Sequence, residues 1–243
     1  MKDRFSQSAE LYAQFRPTYP PSLYENVLQH VKHKKNAWDV GTGNGQVAVE
    51  LANHFQQVKA TDISADQLQF APAKPNIEYA VLPAEKTNFE DGQFDLVTVA
   101  QAIHWFQLDA FYKEVNRTLQ PGGVLAVWGY GLIITVGTLT HIIADFYRSL
   151  HNYWDAERKH IDHLYKSIAF PFAPIEVPPM RIHVQWTREQ LVGYLSTWSA
   201  VAQFVKQEGF DPVEKFRSSI IQHWGANLQR DFYFPIFMKL GTK

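Results

Sequence analysis

The sequence predicts an α/β fold, a doubly wound and mostly parallel sheet with helices on both faces. Three observations point there. An apolar run at residues 37–40 enters Gly41-Thr42-Gly43-Asn44-Gly45, and a mostly apolar run at 47–51 leaves it. That order is strand, glycine turn, helix. Five runs with strand character recur between residues 37 and 128, mostly separated by helical patterning, so parallel pairing through crossover helices is the economical topology. Near the end, Phe232, Phe234, Ile236, Met238 and Leu240 recur at every second position, the period of a strand.

In chain order, residues 1–20 carry Phe5, Leu11, Tyr12, Phe15 and Tyr19, too apolar for a disordered tag. Ser22, with Glu25 three residues on, reads as a capping box opening a helix to about residue 31. In the loop at 41–45, glycine lets a backbone without Cβ approach a ligand, and the helix that follows offers unpaired N–H groups. Strand two, at 58–61, ends in Asp62. An acid about twenty residues beyond a glycine loop, on the neighbouring strand, can accept hydrogen bonds from ribose hydroxyls. Asp62 could instead cap the helix at 65–70, for which Ser64 is the other candidate cap.

Strand three, at 76–82, ends in Pro83-Ala84-Glu85, and strand four, at 94–100, ends in Gln101-Ala102-Ile103-His104-Trp105-Phe106. A histidine and a tryptophan thus stand at the carboxyl end of the strand expected beside strand one. That is the switch point where open α/β sheets bind ligands. Asp109 caps a helix to residue 119, Pro121-Gly122-Gly123 ends it, and strand five follows at 124–128. Helices are expected at 138–153 and 156–168, a strand at 180–186, and helices at 188–199, capped by Thr187, at 201–207, and after Asp211-Pro212. Pro235 removes a ladder donor, which predicts a bulge or a gap in the last strand.

The 243 residues suit one domain, 1–243. A net charge of −1 gives no electrostatic footprint for nucleic acid, and Lys32-His33-Lys34-Lys35 reads as a solvated helix end. The chain has no cysteine, which removes disulfides, thiolate metal sites and cysteine nucleophiles. Residues 118–144 hold no charged side chain, but Pro121 and five glycines interrupt them, so no membrane span is expected. Met1-Lys2-Asp3-Arg4 opens no apolar signal stretch, and a cytoplasmic location is expected. His151, His160 and His163 lack converging third and fourth ligands, so no metal is expected. No Gly-x-Ser-x-Gly and no Walker lysine occur. The oligomeric state is not legible.

The glycine loop admits two cofactor classes. A dinucleotide fingerprint counted from Gly41 needs glycine where Gln46 stands, but counted from Gly43 it ends acceptably on Ala48. The fuller pattern is Asp39-x-Gly41-x-Gly43-x-Gly45. With it go the lead-in Tyr12-x-x-x-Arg16-Pro17-x-Tyr19-Pro20, the turn Leu119-x-Pro121-Gly122-Gly123, the stretch at 194–200 and the ending Phe234-Pro235-x-Phe237. Together these resemble the class I S-adenosylmethionine-dependent methyltransferases of type 11, and within them the trans-aconitate-type small-molecule enzymes. The resemblance spans most of the chain and is most specific over residues 8–128.

That resemblance implies a Rossmann-like sheet whose last strand inserts antiparallel, a lid formed by residues 1–20, and a largely helical cap from 130–230 over the carboxyl edge. It implies S-adenosyl-L-methionine as cofactor, held by Asp39, Gly41, Thr42, Gly43, Gly45, Asp62, Ile63, Ala84, Glu85, Ala100 and Gln101. A small-molecule acceptor, with carboxylates one class, would meet Tyr12, Arg16, Tyr19, Trp105, Trp128 and Tyr130. A carboxylate acceptor needs no base. For a hydroxyl or amine, His104 is the candidate. The alternatives are an NAD(P)-dependent oxidoreductase on the same turn and a cofactor-binding protein without turnover.

Overall fold

The computed structural model describes residues 14–243. Strand β1 (Asn36–Val40) pairs in parallel with β2 (Gln57–Asp62) and β4 (Phe94–Ala100). On the outer sides β2 pairs with β3 (Ile77–Val81), and β4 with β5 (Leu119–Tyr130). Strand β8 (Gln229–Thr242) runs antiparallel between β5 and the short β6 (Ala173–Ile175), and its first half pairs with β7 (Met180–Thr187). The order is β3-β2-β1-β4-β5-β8-β6. The chain winds outward from β1 to β3 and returns at β4, which opens a crevice at the carboxyl ends of β1 and β4.

Helix α1 (Pro21–Leu28) precedes β1, and the crossovers are α2 (Gln46–Leu51), α3 (Ala65–Leu68) and α4 (Leu108–Thr118). Between β5 and β8 lie α5 (Thr138–Ser149), α6 (Lys159–Asp162), α7 (Arg188–Ser196), α8 (Ser199–Glu208) and α9 (Pro212–Trp224), together with β6 and β7. Among the described residues no helix is long and apolar enough to cross a membrane.

Two cores explain why the central strands are largely apolar on both faces. Leu96, Val124, Ala126 and Trp128 face one core, with Phe232 and Phe234. Their neighbours Val97, Val99, Leu125 and Val127 face the other, with Trp38 and Phe111. Alternation by two splits each strand between the faces. Each fully buried Leu or Val contributes roughly 1.5–3 kcal/mol.

Several boundaries differ from the sequence reading. The first helix begins at Pro21 behind Pro20, without a side-chain cap, so Ser22 is inside it and forms no capping box; proline suits the first turn because its missing N–H has no helical partner there. Asp109 lies in the first turn of α4, and Gln107 is its cap. The segment expected as a helix at 156–168 breaks after Asp162, where Leu164 and Tyr165 adopt φ of +54° and +55°. The left-handed region costs roughly 1–2 kcal/mol per residue. Burial of the Tyr165 ring, 1% exposed and edge-on to Phe237 at 4.8 Å, offsets that cost. The predicted helix at 188–199 ends at Ser196, where the Thr197 hydroxyl turns back to the Tyr194 carbonyl at 2.6 Å. Strand β5 starts at Leu119, with a register shift between Phe94 and Leu96 that absorbs Pro121-Gly122-Gly123. Strand β8 keeps its register through Pro235, opposite Arg181. The β5 ladder ends one residue away, at Tyr130 and Ile236, and the Pro235 carbonyl accepts Gly131 N–H at 2.9 Å. The missing donor therefore needs no bulge.

Candidate functional site: a cofactor cleft and an adjoining cavity

Asp39, next to last in β1, is almost fully buried, 1% exposed. Its Oδ2 accepts the Thr42 hydroxyl at 2.5 Å and its Oδ1 accepts the Thr98 hydroxyl at 2.7 Å. Burial pushes its carboxyl up to about 6 against the lowering effect of those two hydrogen bonds. The loop beyond it runs through Gly41, Gly43 and Gly45 at φ of +66°, +56° and +80°, a conformation that favours glycine. A Cβ on Gly41 would come within 2.6 Å of the Ala102 Cβ, so here backbone packs against the turn that follows β4. The loop is tied to β2: Thr42 N–H donates to the Thr61 carbonyl at 3.0 Å, and Gly43 N–H to the Asp62 carboxylate at 2.8 Å. The other Asp62 oxygen accepts Ser64 N–H at 2.9 Å, while the Ser64 hydroxyl caps α3 by accepting Gln67 N–H. Ser64 is thus the helix cap, and Asp62 holds the turn before it.

These elements enclose a cleft. Of the residues expected there, Asp39, Gly41, Thr42, Gly43, Asp62, Ile63, Ala84, Ala100, Gln101, Trp105 and Tyr19 line it. The structure adds Asn44, Gln46, Ser64, Gln67, Leu82, Ala102 and Phe106. Four of the expected residues, Gly45, Glu85, Trp128 and Tyr130, are not among those that line it. A Cβ on Gly45 would come within 2.6 Å of the Tyr79 hydroxyl. Glu85 turns its carboxylate to Gln107 N–H at 2.9 Å, at the positive end of α4, where an anion is favoured. Trp128 is 0% exposed and lies behind Tyr19 and Tyr24, edge-on at 5.7 and 6.5 Å. Tyr130 is buried, its hydroxyl accepting Arg16 Nη1 at 2.9 Å. Tyr12, with most of the 1–20 segment, lies outside the described residues.

A second cavity adjoins the first and shares Gln101 and Trp105 with it. Arg16 and His104 reach it, and Trp154, Asp155, Arg158, Ile161, Trp198 and Ser199 complete it. The Arg16 guanidinium also donates to the Thr197 carbonyl at 3.1 Å and lies 5.4 Å from the Tyr194 ring centre. Arg158 lies 4.8 Å from the Trp154 ring centre. Gln101, between the cavities, is a non-glycine residue at φ +54°. Its Nε2 donates to the Tyr130 carbonyl at 3.2 Å, and its buried Oε1 has no hydrogen-bond partner among the described residues. His104 Nδ1 is 3.0 Å from the Tyr165 hydroxyl. Burial, then the charges of Arg158 and His160, push its imidazole down to about 3, so the ring is neutral. No metal-binding cluster of three or more His, Asp or Glu occurs among the described residues.

A family model described as a methyltransferase domain matches residues 38–127. A Dictyostelium discoideum protein named as a methyltransferase is 34% identical over 250 residues, which cover 99% of this chain and 95% of that one. The chain belongs to the class I S-adenosylmethionine-dependent methyltransferases. A solved structure from Anaeromyxobacter dehalogenans, described as a type II methyltransferase, overlays this methyltransferase with a TM-score of 0.87 at 34% identity, covering 94% of this chain and 98% of that one. A Saccharomyces cerevisiae protein named as an S-adenosylmethionine-dependent methyltransferase is 29% identical over 128 residues, 49% of this chain and 44% of its own.

The cofactor of this methyltransferase is S-adenosylmethionine, and the oxidoreductase alternative falls with the family assignment. The cleft suits the molecule chemically. One wall is glycine backbone without Cβ, an acid stands at the end of β2, and Leu82, Ala84 and Phe106 offer an apolar wall for a flat ring.

Proposed function

We propose that this methyltransferase moves a methyl group to a small anionic acceptor, a carboxylate, seated in the second cavity. The observation that carries the reading is the junction of the two cavities at Gln101 and Trp105, with the guanidinium side chains of Arg16 and Arg158 on the acceptor side. Arginine suits planar anions because its donors form a fixed fork.

Asp62 accepts from the ribose hydroxyls, the backbone of Gly41 to Gly43 lies along the cofactor, and Ala84 with Leu82 covers the adenine. Asp39 holds the loop's shape from beneath and sets the charge near the methionine end. Bound S-adenosylmethionine supplies a methyl on positively charged sulfur. The protein's part is to hold the acceptor oxygen in line, a positioning effect worth up to roughly 7–11 kcal/mol. Trp105, at the junction, offers an aromatic face to positive charge. Residues 130–230 act as the cap: they bring Trp154, Arg158 and Trp198 to the cavity. At the end of the proposed N-terminal lid, Arg16 reaches this cavity and Tyr19 the cofactor cleft.

An acceptor panel tests the reading. Small mono- and dicarboxylates, their amides, and matched amines and alcohols are incubated with S-adenosylmethionine, and release of S-adenosylhomocysteine is followed. Turnover confined to carboxylates supports the anionic site. Turnover of the amides or amines with carboxylates inert would overturn it.

A further inference from the structure

We propose that Tyr165 locks His104 as the Nε2–H tautomer, so that His104 donates a hydrogen bond to the acceptor across the second cavity and takes no proton from it. The proposal rests on the acceptor site described above and assigns this histidine the opposite role to the base its place in the sequence suggests.

His104 sits in the short 3-10 turn Ile103–Trp105 directly after β4. Its Nδ1 lies 3.0 Å from the Tyr165 hydroxyl. Tyr165 is 1% exposed, and His104 Nδ1 is the sole hydrogen-bond partner of its hydroxyl among the described residues. A phenol has one hydrogen to donate. If Nδ1 carried the proton, the tyrosine hydrogen would be buried with nothing to accept it, an arrangement folded proteins avoid. Tyr165 therefore donates and Nδ1 accepts.

The ring is neutral, so its one proton is on Nε2. That nitrogen makes no hydrogen bond among the described residues, yet it is not one of the sealed, unpartnered polar atoms. His104 lines the second cavity, and Nε2–H is the group it presents there. Arg158, which also lines that cavity, and His160 are the charged or titratable groups whose fields oppose a second proton on the ring.

The backbone supports the lock. Two consecutive non-glycine residues, Leu164 and Tyr165, hold left-handed φ of +54° and +55°. Strain of this kind persists where surrounding structure over-determines it, and here it aims the Tyr165 hydroxyl at the imidazole.

A donor at this place selects an acceptor atom with a lone pair and no proton to lose. A carboxylate oxygen meets that condition. One oxygen forms the O–C bond, the S–C bond breaks with its electron pair going to sulfur, and the anion and the sulfonium charge cancel. The products are a methyl ester and S-adenosylhomocysteine, and no proton moves.

The test is long-range 1H–15N correlation on the full chain labelled with 15N-histidine at neutral pH, with His104→Gln identifying the signal. The expected spectrum shows His104 protonated on Nε2, with Nδ1 in the hydrogen-bond-accepting range. A proton on Nδ1, or averaging of the two tautomers, would overturn the proposal. Tyr165→Phe should release the lock and give averaged signals; a signal still fixed as Nε2–H would also overturn it, because Tyr165 would then not be its cause. Should Tyr165→Phe fail to fold, the wild-type spectrum alone decides. The readout needs no acceptor and no turnover, so its failure is separate from failure of the carboxylate panel.

Discussion

Asp39 of β1 and Thr98 of β4 are register partners across the sheet, and the Thr98 hydroxyl donates to the Asp39 carboxylate at 2.7 Å. The bond lies where the two strands diverge into the cleft, so one contact fixes the floor of that cleft. It also holds a carboxylate out of water. The charged form is disfavoured over the pH window from 3.8 to about 6. The folded chain keeps a proton there that the unfolded chain has released, so stability falls as pH rises through that window and levels off above it. Charging Asp39 costs the fold on the order of 2–3 kcal/mol. Asp39→Asn is therefore expected to be at least as stable as wild type at neutral pH while binding S-adenosylhomocysteine more weakly. Thermal melts with calorimetry check both, and a lower Tm with unchanged affinity would contradict the assignment.

Gly41 and Gly122 separate packing from strain. Both have positive φ, +66° and +76°, but a Cβ on Gly41 meets Ala102 at 2.6 Å whereas one on Gly122 meets nothing within 4 Å. Gly122→Ala should cost only the left-handed penalty, roughly 1–2 kcal/mol, with cofactor affinity intact. Gly41→Ala should cost more and also weaken S-adenosylhomocysteine binding, because the displaced Ala102 lines the cleft. Melts and titrations of the pair decide it.

Arg158 should govern the acceptor and not the cofactor. A charge-assisted hydrogen bond is worth about 1.5–3 kcal/mol, so Arg158→Gln is expected to raise KM for a carboxylate acceptor by roughly 10–100-fold. The S-adenosylhomocysteine Kd should stay within about twofold, a change of less than about 0.5 kcal/mol. Equal loss of both would place Arg158 in the general architecture instead.

The strand and loop framework was readable because strands buried on both faces read as apolar runs, as in Val124, Leu125, Ala126 and Val127, and because positive φ at Gly41, Gly43 and Gly45 demands glycine. The acceptor side was not. Alternation along β5 put Trp128 at a strand end, but it could not show that Tyr19 and Tyr24 would cover it. Glu85 stood in the right turn and was drawn instead to the N–H groups of α4. Arg158 and Tyr165 belong to a segment whose helical pattern breaks at Leu164, where burial overrides local preference. Nothing local in the sequence pairs Tyr165 with His104, 61 residues away.

His104 carries its own pH signature. Its folded value is pushed down to about 3 from 6.5, so between those limits the unfolded chain binds a proton the folded chain refuses. Stability should then decline as pH falls below 6.5, and His104→Gln should remove that part of the decline. The same variant bears on mechanism. Glutamine can still present an N–H to the cavity, so turnover should survive far better than in His104→Ala. A general base would lose about 10²–10⁴-fold in either variant.

The most direct test of the cofactor cleft is calorimetric titration of S-adenosylhomocysteine into wild type and Asp62→Ala. One molecule should bind per wild-type chain, and affinity should fall at least about tenfold in the variant, equivalent to about 1.4 kcal/mol. That follows because Asp62 both holds Gly43 at 2.8 Å and lines the cleft. Undiminished affinity in Asp62→Ala, or no binding to wild type, would contradict the account.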